Sequence, residues 1–395
     1  MTTATLHKHI NAILTVDYPL CSCADIRLFL YALSIDYQPK IIIVGGTNGK
    51  GSTVAILERI FKYNNINFVS HTSPHLLRFN ERIKYNGIAI SNQSLISALI
   101  RIQKVVHHLN LRLSYYQIGF LCACIYMNCK MPAWFILEVG MGGRLDPANH
   151  FDADIAILTS IGLDHTEILG NNIETIGFEK AHIARPNKPI ILGSAMPTSV
   201  NNYLHGVNAN IIKASVPPTY EHSHLPKQSL ACAFSAISCM TPSLTIPPNI
   251  NTLQVPGRIE IIQKKPLIIV DVSHNPHAVS YLFAKLIDYK TTHKRFIGIF
   301  GAHATKDVKS MINIAKPHID EWLIPNLHHI DNRYLGIDAM AVLLPKQSSQ
   351  FFSHLAAVIK HLRTIITKDD LVIIFGSFTL VAEWMKIYEK QHSLC

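Results

Sequence analysis

Apolar positions along this chain fall into two repeating habits. Short, mostly apolar blocks occur at Ile41–Val44, which is wholly β-branched, Phe135–Leu137, Asp154–Leu158 and Pro189–Leu192, then again at Leu267–Val270, Phe296–Phe300 and Leu371–Phe375. Blocks of that length with no polar alternation read as strands covered on both faces. Between them lie longer stretches with helical spacing, such as Val54, Leu57, Ile60 and Phe61, then Gln93 to Leu109, Gln117 to Asn128, Ile173 to Ala184, Leu230 to Met240 and a run from His277. Strand–helix alternation of this kind predicts parallel α/β sheets. A further strand is expected to start at Asn67. Residues 1–40 read as mostly helical, with Leu28 to Leu33 as a packing face. Residues 194–226 are rich in Pro, Asn and His without a clear period and are read as a polar connection; His222 and His224 within it are of metal-ligating type, but they are read as ordinary polar residues. The stretch 241–258 carries four prolines and reads as a linker. The expected organisation is therefore α/β throughout, with a large domain at 1–254 and a smaller one at 255–395.

Composition narrows the class. At 395 residues with 48% hydrophobic and 16% charged residues, the chain is long enough for two ordinary cores and is not of disordered composition. No apolar run approaches the roughly 20 residues needed to span a bilayer, and MTTATLHKHI lacks signal-peptide architecture. The eight cysteines form no C-x-x-C pair. Free thiols and a cytoplasmic location are expected. A formal charge of +10 suits anionic small molecules. Because Lys and Arg are scattered without interleaved aromatics, neither nucleic acid nor membrane is expected as a partner.

The stretch with the most chemistry is IIIVGGTNGKGST, Ile41 to Thr53. A strand is followed by Gly46, Thr47, Asn48, Gly49, Lys50 and Gly51, and then Ser52 and Thr53 open a helix. Backbone N–H groups at a helix start, the helix dipole and one lysine together suit a nucleotide phosphate. The strict Gly-x4-Gly-Lys-Ser/Thr pattern fails, since Val44 stands at its first Gly and Gly51 separates Lys50 from Ser52. An ordinary glycine-rich turn would share the glycines. It would not need the lysine and both hydroxyls.

Other polar groups fall at strand ends, where open α/β sheets bind ligands. Ser70, Thr72, Ser73 and His75 crowd around Pro74 and precede Arg78, Glu81 and Arg82. Glu138 ends a strand, where a divalent cation held by phosphates would take a protein oxygen; Gly140, Gly142 and Gly143 follow. Asp164 and His165 lie past the next strand. In the second domain Asp271 and His274 sit at a sheet edge, Asn275-Pro276 begins a helix, and a Gly-Ser-Phe turn ends the last strand. Each alone fits a structural role. Lys180, on a helix, reads by itself as a solvated cation.

Taken in order, GTNGKGST (46–53), TSPHL (72–76), EVGMGGRLD (138–146), LDHT (163–166), EKA (179–181), VPGR (255–258), DVSHNPHA (271–278) and GSF (376–378) resemble the bacterial folylpolyglutamate synthase/dihydrofolate synthase family, the folate branch of the Mur-ligase superfamily. The resemblance spans about residues 41–380. It implies a Mur-ligase-like fold, with an N-terminal P-loop nucleotide-binding parallel-sheet domain and a smaller C-terminal Rossmann-like glutamate-ligase domain. It implies an ATP-dependent amide ligase: ATP phosphorylates a pterin carboxylate, and L-glutamate displaces the phosphate. Phosphoryl transfer between anions needs positioning and charge neutralisation more than covalent help. By the family pattern Lys50 contacts the β/γ-phosphates, and Ser52, Ser73, Glu138 and His165 match Mg²⁺-site positions. Lys180 matches a carbamylated lysine, and Arg258 a nucleotide-binding arginine. Asp271 and His274 match a pair that completes the active site, with Asp271 also toward the nucleotide. His75, Arg82 and Ser377 are candidate substrate-binding residues, and the family pattern is monomeric.

The chain departs from that pattern at Gln228-Ser229, where the family often has Gln-Asn, at Tyr115-Tyr116-Gln117 for Phe-Phe-Glu, and at Pro147. These leave the preference between dihydropteroate and reduced folate open. Alternatives are a Mur-type ligase acting on another carboxylate, a small-molecule phosphotransferase, and a non-catalytic binder of a pterin or nucleotide.

Overall fold

The computed structural model describes residues 3–220, 223–240 and 244–392. His222 and part of the proline-rich linker lie outside these. The chain divides into two compact units, Met1–Leu253 and Gln254–Cys395.

The first unit opens with helices α1 (Thr3–Leu14) and α2 (Ile26–Ala32). Then come β1 (Lys40–Gly45), α3 (Lys50–Tyr63), β2 (Phe68–His71), β3 (Ile83–Tyr85), β4 (Ile88–Ala89), α4 (Asn92–Leu109), α5 (Tyr115–Lys130), β5 (Trp134–Glu138) and β6 (Ile155–Leu158). The unit closes with α6 (Thr166–Leu169), α7 (Ile173–Ala181), β7 (Pro189–Leu192), α8 (Thr198–Gly206), β8 (Asn210–Lys213) and α9 (Lys227–Met240). The sheet order is β4-β3-β2-β5-β1-β6-β7-β8, parallel except for the β3–β4 hairpin at one edge. β1 is buried over five of its six residues, as its unbroken apolar run requires.

Helix starts follow capping chemistry. The Ser91 hydroxyl accepts from Ser94 N–H at α4, Asn172 accepts from Thr175 N–H at α7, and Ser114 and Gln117 form a reciprocal capping box at α5. Gln117 therefore keeps the capping function at a position where the family pattern has a carboxylate.

From β1 the chain moves to β2 on one side, and from β5 it crosses to β6 on the other. The end of β1 is thus a switch point, where open sheets bind ligands. Register makes that edge even: Val44 pairs with Glu138, and Gly45 with Leu158.

Two features were not foreseen. The segment after residue 194 contains α8 and β8, a helix and an edge strand, in place of an irregular connection. β8 alternates weakly and is only half-buried, so it lacks the block signature of the central strands. The β3–β4 hairpin is equally short, with its two-residue second strand exposed.

The second unit contains β9 (Glu260–Lys264), β10 (Leu267–Asp271), α10 (Pro276–Leu286), β11 (Arg295–Phe300), α11 (Val308–Ala315), β12 (Glu321–Pro325), α12 (Ile337–Leu343), β13 (Ser349–Phe352), α13 (Leu355–Ile365), β14 (Asp370–Phe375) and α14 (Phe378–His392). The order is β13-β12-β11-β14-β10-β9, parallel except for β9. Asn275 caps α10 with Pro276 at the first helical position, as the sequence predicts. Strands β9, β12 and β13 add to the three expected.

Candidate active site

The glycine loop between β1 and α3 is held from below by the end of β6. Thr47 N–H donates to Ser160 O at 2.7 Å and Asn48 N–H to Ser160 Oγ at 3.1 Å, while Thr159 Oγ1 donates to Asn48 O at 2.7 Å. From α9, Ser229 Oγ donates to Gly49 O at 3.3 Å. Gly46 adopts φ +133°, and a Cβ there would lie 2.0 Å from Thr159 Oγ1, so only glycine fits. Gly49, at φ +88°, is the N-cap of α3.

Two lysines converge on this loop. Lys50 Nζ donates to Gly46 O at 3.0 Å and to Thr47 O at 3.1 Å, and Lys180 Nζ donates to Gly46 O at 3.2 Å. The sequence alone offered Lys180 as a solvated cation. Instead its side chain is buried near the end of α7. Burial, then the Lys50 charge, push its pKa down to about 7, against Asp164 and Asp146, which favour the charged form.

Opposite the loop, Glu138 ends β5 and is buried. Its Oε2 accepts from Ser73 N–H at 3.0 Å, and a Cβ on Gly51 would lie 3.7 and 3.9 Å from its two carboxylate oxygens. Those are ordinary contact distances, and they set the carboxylate directly beside the start of α3. Ser52 is buried at the same helix start, and Thr53 Oγ1 bonds Gly49 O at 2.9 Å. His165, at φ 52°, sits before α6, with its N–H on Asp164 Oδ1 at 2.9 Å.

No group of three or more His, Cys, Asp and Glu side chains able to hold a metal occurs among the described residues. A hard cation bound beside phosphates does not need one: it commonly uses one or two carboxylates, a hydroxyl, waters and phosphate oxygens. Buried Glu138 next to the α3 start and Ser52 fits that donor set.

The sequence reading missed the group that shapes the loop after Glu138. Tyr116 OH donates toward Glu138 O and Asp146 Oδ1, both at 3.0 Å, and accepts from Gly140 N–H at 3.0 Å. Asp146 also accepts from the N–H groups of Gly140, Met141 and Ala148 at 2.9–3.1 Å. Burial nonetheless raises its pKa to about 6. Asp146 ends the EVGMGGRLD motif and Tyr116 stands where the family pattern has a phenylalanine, and neither position by itself signals the hydrogen bond they share.

His75 and Arg82 form one cluster. Arg82 Nε donates to His75 Nδ1 at 2.8 Å, and the guanidinium lies 5.2 and 5.0 Å from the Phe79 and Tyr115 ring centres. Burial lowers the Arg82 pKa.

In the second unit Asp271 is buried and accepts from Ile259 N–H and Ser273 N–H, both at 2.8 Å. Burial raises its pKa, against the nearby Arg258 charge. Arg258 lies 5.0 Å from the Phe378 ring centre, and the His274 ring packs against the same residue at 5.6 Å. Ser377 is buried against Tyr334, with 2.6 Å between their oxygens.

Residues 257–378 match the family model described as Mur ligase, glutamate ligase domain. Over 382 residues the chain is 32% identical to the dihydrofolate synthase/folylpolyglutamate synthase of Buchnera aphidicola subsp. Schizaphis graminum, covering 89% of this chain and 88% of that protein. Among solved structures it resembles E. coli FolC in complex with DHPP and ADP, at TM-score 0.87 and 27% identity over 98% of both chains. It also resembles a bifunctional folylpolyglutamate synthase/dihydrofolate synthase with Mn, AMPPNP and L-glutamate bound, at TM-score 0.87 and 28% identity over 98% of both chains. Identity at that level over nearly the full length, with the phosphate loop and Glu138 set at one switch point, establishes that the chain belongs to the dihydrofolate synthase/folylpolyglutamate synthase family of ATP-dependent amide ligases.

Proposed function

We propose that this chain joins L-glutamate to dihydropteroate, to a reduced folate, or to both, through an acyl phosphate made from ATP. One observation carries the reading: Lys50 and Lys180 meet on Gly46 O while Glu138, from the neighbouring strand, faces the start of α3. Lys50 at a helix N-terminus suits the phosphates, and a buried carboxylate facing it, with Lys180 beside the same loop as a second anionic group once carbamylated, suits their metal.

In this reading the N–H groups of residues 46–53 and Lys50 hold the phosphates, and Arg258 and Asp271 serve the nucleotide. Ser52, Ser73, Glu138 and His165 hold Mg²⁺, which neutralises charge as the phosphoryl group moves. The substrate carboxylate attacks the γ-phosphorus with loss of ADP. The glutamate amine then attacks the acyl carbon, and the tetrahedral adduct expels phosphate. His75 and Arg82 serve the pterin-bearing substrate, Asp271 and His274 complete the catalytic set, and Ser377 serves glutamate. Lys180 becomes a carbamate, which replaces an ammonium by a carboxylate-like group. The enzyme works as a monomer in the cytoplasm; the free thiols among its described cysteines support a reducing compartment.

Radiolabelled glutamate incorporation, run with dihydropteroate and with tetrahydrofolate side by side, tests the reading and separates the two substrates. ATP left unconsumed when glutamate and both pterins are present would overturn it.

A further inference from the structure

Glu138 is the last residue of β5, and its main chain is held differently from the rest of that strand. Val139 N–H donates to Val44 O at 3.0 Å, on the β1 side. A trans peptide points its carbonyl away from its N–H, so Glu138 O faces the other neighbour, β2. That strand has stopped by then. Its pairing with β5 ends at His71 and Leu137, and Thr72 N–H is turned away to Arg82 O at 2.9 Å. The donor that meets Glu138 O is instead a side chain: Tyr116 OH, at 3.0 Å.

A carbonyl only accepts, so the phenol is the donor in this contact. It shares the same proton with Asp146 Oδ1, also at 3.0 Å, and its oxygen accepts from Gly140 N–H at 3.0 Å. Asp146 in turn collects the N–H groups of Gly140, Met141 and Ala148 at 2.9–3.1 Å. The brace is tight. A Cβ on Gly140 would lie 2.6 to 2.8 Å from three atoms of the Tyr116 ring, so the loop backbone rests directly on the phenol. Glu138 is 4% exposed and Asp146 3%, so little water reaches this place to stand in for the hydroxyl. Phenylalanine, the residue of the family pattern at this position, would supply the ring without the proton. The departure at residue 116 thus adds a hydrogen bond immediately behind Glu138.

We propose that Tyr116 is a positioning residue for the divalent cation: its hydroxyl pins the Glu138 main chain to Asp146 and so fixes the direction of the Glu138 carboxylate. This rests on the assignment of Glu138 to the metal. Ser73 N–H holds the carboxylate itself at 3.0 Å, and Tyr116 holds the backbone from which it projects. Without the hydroxyl, a buried carbonyl must find another donor, and the strand end that carries the carboxylate moves with it. Hydrogen bonds behind a metal ligand commonly carry roughly 10–100-fold in metal affinity. This one acts through the main chain, which places it at the low end.

The test is Mn²⁺ binding by the full chain with one equivalent of ADP, read without turnover from the loss of the free-ion electron paramagnetic resonance signal, with enzyme-free ADP as reference. Tyr116→Phe is expected to raise Kd for Mn²⁺ roughly tenfold, while affinity for ADP without metal stays at its wild-type value. A general loosening of the fold would weaken both. Asp146→Asn keeps the phenol and weakens the acceptor that shares its proton. It is expected to weaken Mn²⁺ by a few-fold, which keeps the proposal open to refutation if Tyr116→Phe fails to fold. Because the phenol acts through Glu138, a Tyr116→Phe/Glu138→Gln double variant should bind Mn²⁺ no more weakly than Glu138→Gln. Wild-type Mn²⁺ affinity in Tyr116→Phe and Asp146→Asn, alongside a weakened Glu138→Gln, would overturn the proposal alone, as would a full tenfold further loss in the double variant. Wild-type Mn²⁺ affinity in Glu138→Gln would overturn the assignment beneath it as well.

Discussion

Lys50 and Lys180 donate to the same acceptor: their ammonium nitrogens lie 3.0 and 3.2 Å from the carbonyl oxygen of Gly46. One is the first residue of α3 and the other is buried near the end of α7. Two like charges on one neutral oxygen repel, and burial adds a desolvation penalty to the one with less access to water. Lys180 carries that penalty, and its pKa falls to about 7.

A lysine that is half neutral near pH 7 can react with carbon dioxide. Its nitrogen attacks the carbon and releases a proton to solvent, leaving a carbamate. With ¹³C-bicarbonate, wild type is expected to show a carbamate carbon resonance that grows as pH rises through about 7, and Lys180→Ala is expected to lack it. Activity lost in Lys180→Ala should return in part when a short-chain carboxylic acid is added. Absence of the resonance in active wild-type enzyme would remove the carbamate from the mechanism.

The same depressed pKa sets a stability trend in carbon-dioxide-free buffer. The folded-state value, about 7, lies below the ordinary lysine value of 10.5. Between these two limits the unfolded chain binds more protons, so stability contributed by this group rises with pH. The penalty is fully present below the folded pKa and fades as pH climbs toward the unfolded one. Lys180→Met should therefore melt about 2–4 °C higher than wild type near neutral pH, with the gap closing at higher pH. Thermal scans across that window check both the sign and the slope.

Glu138 tests the metal side. Glu138→Gln keeps the shape and the contact with Ser73 N–H but removes the charge that suits a hard cation. Glutamate-dependent ATP turnover is expected to fall roughly a hundredfold or more, with more Mg²⁺ needed for what remains. Lys50→Ala should abolish turnover by a different route, weakening ADP binding. Both should melt within about 3 °C of wild type, and substantial turnover in both would break the role assignment.

How much of this was legible beforehand depends on what each residue answers to. β1, β5 and β6 announce themselves because burial on both faces forbids polar alternation. Edge strand β8 answers to one neighbour only and carries no such block. The phosphate loop was readable because Gly46 answers to a backbone requirement at φ +133°. Lys180 was not, because nothing in helical spacing says that a particular lysine is buried under a loop 134 residues away in sequence. Tyr116 and Asp146 share that difficulty: their hydrogen bonds span 30 residues. Local chemistry is written locally, whereas a network exists only once the chain has folded.

His71 illustrates the same point from the side of stability. It ends β2, is 0% exposed, and neither ring nitrogen has a hydrogen-bond partner among the described residues. Its ring packs against Tyr116 and Phe120, with centres 5.5 and 6.3 Å apart, and a Cβ on Gly119 would sit 3.3 Å from Nε2. Burial, with the Arg82 charge second, lowers its pKa to about 3 from 6.5. The unfolded chain thus takes up a proton here that the folded chain refuses, and stability falls as pH drops from the upper value toward the lower. Replacing the ring by an apolar side chain of similar size removes both the unsatisfied polar atoms and that acid-dependent loss. His71→Leu is expected to stabilise the first unit by about 1–3 kcal/mol at neutral pH, with a larger advantage at pH 4 to 5. Urea unfolding at the two pH values checks it. A His71→Leu variant less stable than wild type, with an unchanged acid dependence, would show that the imidazole is satisfied by a bound water.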